Sequence, residues 1–197
     1  MNSKSMSPIW LRIRRSAVDL FGDRSGIAAT EFAVIVPIML VMFFGTVELS
    51  SGVAVDRKVT LMARTLSDLT SQSPYVMDSD LTNFFAASNA IMTPYSSTPT
   101  KATISELYVD PTSLLVYVQW SVGSVPRAAG STIVIPSALA AGGAWLIFSE
   151  VSYLYTPAVG YVMSKAGVTL SDTAYTRPRQ SACVNYDSSS TSCVPVE

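Results

Sequence analysis

The sequence predicts an α+β fold, in which one long N-terminal helix packs on an antiparallel sheet of about four or five strands. Three observations lead there. The run Ile27 to Val47 holds 21 residues with one charge, Glu31. Beyond it, Val55, Val59, Met62, Leu66 and Leu69 recur at alternating spacings of four and three, the period of one helix face. After residue 100 the pattern changes to short runs rich in Val, Ile, Tyr and Trp, separated by turn residues.

The N-terminal element comes first. Residues 1–26 carry Lys4, Arg12, Arg14, Arg15 and Arg24 against Asp19 and Asp23, a net +3 hidden inside a whole-chain charge of −1. As a helix the apolar run spans roughly 31 Å, which matches a bilayer core of about 30 Å. The basic flank predicts a cytoplasmic N-terminus. The expected organisation is a basic cytoplasmic leader (1–26), a transmembrane helix (27–49), an amphipathic continuation (50–73) and a periplasmic α+β domain (74–197). The amphipathic stripe is heptad-like and could form a coiled coil, but docking on this chain's own sheet is the favoured expectation. Pro37 lacks an amide hydrogen and is expected to kink the helix. A cleaved signal peptide fits poorly, because its basic region would be overlong and a carboxylate would precede its apolar core. An ordinary signal anchor satisfies the same pattern.

Ser73-Pro74 ends the helix, and Asp78-Ser79-Asp80 offers capping side chains to a short helix bearing Leu81, Phe84, Phe85, Ile91 and Met92. Thr93 to Thr100 reads as an exposed linker. Ala102 to Val109 and Leu114 to Trp120 flank Asp110-Pro111-Thr112-Ser113 as a hairpin, followed by strands at Ser131 to Ile135, Ala144 to Tyr155 and Val168 to Tyr175. On the Ala144–Tyr155 strand, Val151, Tyr153 and Tyr155 share one face and Phe148, Glu150 and Leu154 the other. Cys183 and Cys193 are the only cysteines. In an oxidising periplasm they are expected to form a disulfide worth about 3 kcal/mol, stapling a polar C-terminal tail.

Composition narrows the function classes. No histidine is present, which excludes Ser-His-Asp and Cys-His catalysis and any His-containing metal site. The near-zero net charge does not suggest a nucleic-acid binder. Ser164-Lys165 is adjacent rather than spaced as a helical dyad, and neither a phosphate loop nor a nucleophile elbow occurs. The expectation is a non-enzyme without cofactor, metal or small-molecule substrate.

Glu31 needs a reason to be there, because a charge inside a membrane helix costs at least about 2.5–3.5 kcal/mol near its centre, and less near an end. It can snorkel to the headgroups. Alternatively, a cut after Gly26 would free the amine of Ile27 and make Glu31 the fifth residue, able to pair with such an amine on a neighbouring subunit. Glu31 would then align subunits rather than catalyse.

The stretch GIAATEFAVIVPIMLVMFFGTVELS resembles the N-terminal signature of the TadE/TadG-like proteins of the tight-adherence (Flp, type IV-related) pilus system. The similar elements are Gly26, Ala28, Ala29, Glu31-Phe32, Pro37 and Gly45-x-x-Glu48. Near the C-terminus, Tyr155-x-Pro157 and Tyr175-x-Arg177-Pro178-Arg179 resemble a recurring ending. The resemblance implies a pilin-like fold and a pseudopilin-like minor pilin or assembly factor in the bacterial inner membrane. It implies cleavage between Gly26 and Ile27 by a prepilin peptidase, and subunit alignment through Glu31 and Phe32. The implied partners are other pilus or pseudopilin subunits and the assembly platform. The competing reading is a bitopic periplasmic binding module, anchored without processing.

Overall fold

The computed structural model describes residues 25–157, 167–187 and 193–196. The basic stretch 1–24 and the Ser164-Lys165 pair lie outside the described residues. The chain divides into two compact units between Val47 and Glu48.

The first unit holds the opening part of helix α1 (Ser25–Ser71). Leu, Met, Ala and Phe sustain it, and at its centre α1 runs continuously through Pro37. Such a proline leaves the carbonyl four residues earlier, Ala33, without its helical amide partner.

The second unit begins with the rest of α1. It continues with β1 (Tyr75–Val76), α2 (Asp78–Ala90), β2 (Thr100–Val109), β3 (Val116–Gly123), β4 (Thr132–Ile133), β5 (Trp145–Tyr155), β6 (Val168–Thr176) and β7 (Asn185–Tyr186). Five strands form an antiparallel sheet in the order β4-β3-β2-β5-β6, so the α+β prediction holds with five strands. The expected stripe does dock on this sheet. Val55, Val59, Met62 and Leu66 are fully buried with Ile104, Ile147, Val151 and Tyr153. Each such side chain contributes roughly 1.5–3 kcal/mol by leaving water.

Hydrogen bonds set the register of helix against strand. Ser149 Oγ donates to the Ala63 carbonyl at 2.6 Å, and Ser67 Oγ to the Ile147 carbonyl at 3.3 Å. At the other end of β5, the Tyr155 hydroxyl donates to Glu48 Oε2 at 3.0 Å. β5 thus runs antiparallel to α1. The two lengths agree, since Glu48 to Ser67 rises about 28 Å as helix and Ile147 to Tyr155 about 26 Å as strand.

A bulge divides β3 between two cores. Glu106 pairs with Trp120 and Leu107 with Val118, which leaves Gln119 as an extra residue. Strict alternation would place Val116, Val118, Trp120 and Val122 on one face. The bulge instead sends Trp120 and Val122 to the helix side and Val116 and Val118 to the opposite side, where Leu107, Leu146, Phe148 and Ile135 bury with them. The chain after β3 supplies the cover through Ile133, Ile135 and Leu139. Where β3 ends, Gly123 adopts φ +141°, and a Cβ there would fall 2.3 Å from the Ala102 carbonyl oxygen, so only glycine fits.

Two expectations change in detail. The cap of α2 is Met77, with its backbone N–H donating to Asp80 Oδ2 at 3.0 Å, so of the predicted capping trio only Asp80 closes the turn. The far end of α2 is held from α1, where Lys58 Nζ donates at 2.8 Å to the carbonyls of Ile91 and Thr93. A cation suits the negative end of a helix dipole. Finally, the segment after β6 is not a polar tail at its start. Cys183 and Val184 are buried, and β7 pairs in parallel with β1 (Tyr75↔Asn185, Val76↔Tyr186), a contact the sequence pattern did not show.

Candidate membrane and assembly segment

The residues from Gly26 to Val47 form the candidate segment. Ala, Val, Ile, Leu, Met and Phe follow one another without a polar face, so no side of the helix is built for water. The side chains are out in the open. Phe32 is 68 %, Val41 73 % and Met42 69 % exposed. None of the most apolar stretch is buried within the protein, and α1 is the one helix among the described residues long and apolar enough to cross a membrane. A core helix of a soluble domain would have its apolar surface covered. Exposure on every side fits a lipid-facing helix.

The predicted site residues fall on the first turns of this helix. Gly26 and Ile27 are exposed, as are Glu31 and Phe32. Ile27 and Glu31 stand four apart and therefore share a face, and Thr30 Oγ1 donates to the Ile27 carbonyl at 2.8 Å. A Cβ added at Gly26 would meet nothing within 4 Å. Glycine costs about 1 kcal/mol against alanine inside a helix, so position 26 holds a residue that the fold itself does not need. Cys183 and Cys193 lie in the second unit and form the expected disulfide.

Within the second unit the strongest electrostatic feature is one that sequence reading missed. Glu106 on β2 is 2 % exposed. Its carboxylate accepts the Val184 backbone N–H, and at 3.0 Å the Trp120 indole N–H, which also donates to the Val184 carbonyl at 2.7 Å. Burial pushes the carboxyl up to about 8, against these two hydrogen bonds, which favour the charged form. A signal was available, because Glu106 shares strand parity with Ala102 and Ile104, both on the helix-side core. On the opposite face of β5, Glu150 pairs with Arg127, whose guanidinium lies 5.5 Å from the centre of the Phe148 ring. These groups are paired, and they fasten loops to strands.

The two stretches of the C-terminal resemblance both reach α1. Tyr155 meets Glu48, and Arg179 meets the end of the helix, pairing with Asp68 while its backbone N–H donates to the Ser71 carbonyl at 2.9 Å.

Residues 26–66 match the family model described as TadE-like protein. The suspected TadE-like resemblance is thereby shown over the apolar run and the first part of the docking stripe. No curated protein and no solved structure matches the chain. The matched stretch is similar to a pilus-related structural family, and the exposed apolar helix within it fits membrane anchoring.

Proposed function

We propose that this chain is a pseudopilin-like minor pilin or assembly factor of a Tad/Flp-type pilus. It is inserted in the bacterial inner membrane by α1, with its N-terminus cytoplasmic and its folded second unit periplasmic. A prepilin peptidase cuts it between Gly26 and Ile27, and Glu31 and Phe32 then align it with other pilus subunits at the assembly platform. The observation that carries this reading is the TadE-like match over an exposed apolar helix whose first glycine has no packing role. Pro37 adds a bend that membrane helices tolerate because neighbours re-satisfy the freed carbonyl. The role is structural, since the buried polar groups described above are committed to holding the fold.

The test is the N-terminus of the membrane-bound protein, read by sequencing or intact mass. A start at Ile27 supports processing. A start at Met1 would replace the proposal with a plain anchored periplasmic module.

A further inference from the structure

The second unit carries an open apolar groove of about 470 Å³ where the start of its helix meets the ends of β5 and β6. Leu49, Gly52 and Val53 form one wall, and Tyr155, Val168 and Leu170 the other. Leu49 is 72 % and Val168 54 % exposed. Aliphatic surface concentrated in this way marks a contact surface.

The position of the groove in the chain identifies its occupant. Glu48 directly follows Val47, the last residue of the apolar run. Along a helix, Leu49 and Gly52 therefore lie within about 8 Å of the end of that run, with Val53 just beyond them. The interfacial layer beyond the hydrocarbon is about 5–8 Å deep on each side of a bilayer. Tyr155 is the side-chain type enriched there, an apolar ring with a polar tip, and its hydroxyl is already satisfied by Glu48.

We propose that this groove sits in the interfacial layer of the membrane that α1 crosses, and takes up the glycerol region and upper acyl carbons of phospholipid. Within the second unit the apolar lining runs from Leu49 and Val53 to the sheet end at Tyr155, Val168 and Leu170. The carboxylates of Glu48 and Asp56 at its rim disfavour anionic headgroups, so a zwitterionic phospholipid fits, and phosphatidylcholine serves as the probe. The inference rests on the membrane-anchoring reading above, and the test separates the two.

The full chain is reconstituted in phosphatidylcholine vesicles, with and without lipid brominated near the ester end of its acyl chains. Two variants each add a fluorophore, Val168→Trp at the groove and Leu115→Trp at the opposite end of the sheet, and the parent emission is subtracted. The expected result is loss of most of the added emission for Val168→Trp and no loss for Leu115→Trp. Unquenched emission from Val168→Trp, in protein that floats with the vesicles, overturns the proposal but keeps the anchor; a blue shift in that case points to a second protein copy in the groove. Equal quenching of both variants also overturns it. Protein that does not float overturns the anchor and the proposal together. If Val168→Trp does not fold, Leu170→Trp, on the same wall of the groove, is measured and judged in the same way.

Discussion

The Tyr155 hydroxyl donates to Glu48 Oε2 at 3.0 Å and joins the first turn of the second unit to the last residue of β5. Glu48 lies within the TadE-like match and Tyr155 far outside it in sequence, so this bond fixes where the strand begins to follow the helix. Burial first, and then the neighbouring Glu48, hold the Tyr155 phenol above its ordinary range. Tyr155→Phe is expected to lose about 0.5–1.5 kcal/mol, a fall in melting temperature of a few degrees. Thermal denaturation of the full chain in detergent measures it, and an unchanged midpoint would show that the bond contributes nothing.

Glu106 makes stability depend on pH in a direction opposite to most carboxylates. In the folded chain it keeps its proton up to about 8, whereas an unfolded glutamate releases it near 4.5. Between those values the folded state holds the extra proton, so the contribution is full below 4.5 and is lost as pH rises through about 8. The steepest loss is about 1.4 kcal/mol per pH unit. Urea midpoints are expected to fall from acid to mildly alkaline buffer. In Glu106→Gln the slope should vanish, with a lower plateau because the amide can accept from only one of its two donors. Identical slopes in parent and variant would refute the assignment.

The disulfide closes a short loop beside the buried Val184. Cys183→Ser is expected to cost about 3 kcal/mol. The loss should appear first as faster hydrogen exchange at Asn185 and Asp187, whose backbone N–H groups donate to the carbonyls of Pro74 and Val76. Uniform exchange changes across the sheet, with these two amides spared, would contradict a local clasp.

Gly26→Leu is expected to block the proposed cleavage while leaving the folded unit intact, because no neighbour within 4 Å opposes a side chain at this position. Intact mass reads the first effect and thermal melting the second. Processing at a normal rate would remove the peptidase from the account.

Glu31→Gln is expected to leave membrane insertion unchanged, since it removes a charge from an apolar helix, and to reduce pilus assembly at equal protein level. Normal piliation would leave snorkelling to the headgroups as the whole role of Glu31.

Much of the architecture was readable from period and punctuation. The stripe at Val55, Val59, Met62 and Leu66 announced the docking helix, and the β2, β5 and β6 boundaries fell within two residues of their positions because both ends carry clear turn signals. What escaped was non-local. Nothing in Val116-Tyr117-Val118-Gln119-Trp120 marks Gln119 as the bulge, because the need for it arises from the second core that Ile135 and Leu139 complete. The β1–β7 pair is two residues on each side, too short for any alternation to register. The same limit applied to the candidate segment. Gly26, Glu31 and Pro37 stood out because they break an apolar run, whereas the Tyr155–Glu48 contact required strand and helix to be placed first.

The clasp at Val184 also bears on how the chain reaches its final state. Glu106 and Trp120 acquire their shared partner only when residue 184 arrives, and β1 waits for β7 across more than half of the sequence. A nascent chain therefore emerges with Glu106 held by the Trp120 indole alone, and the backbone N–H of Val184 completes the site only once residue 184 has followed. A chain cut just before Cys183 would lack both Val184 contacts and the strand that pairs with β1.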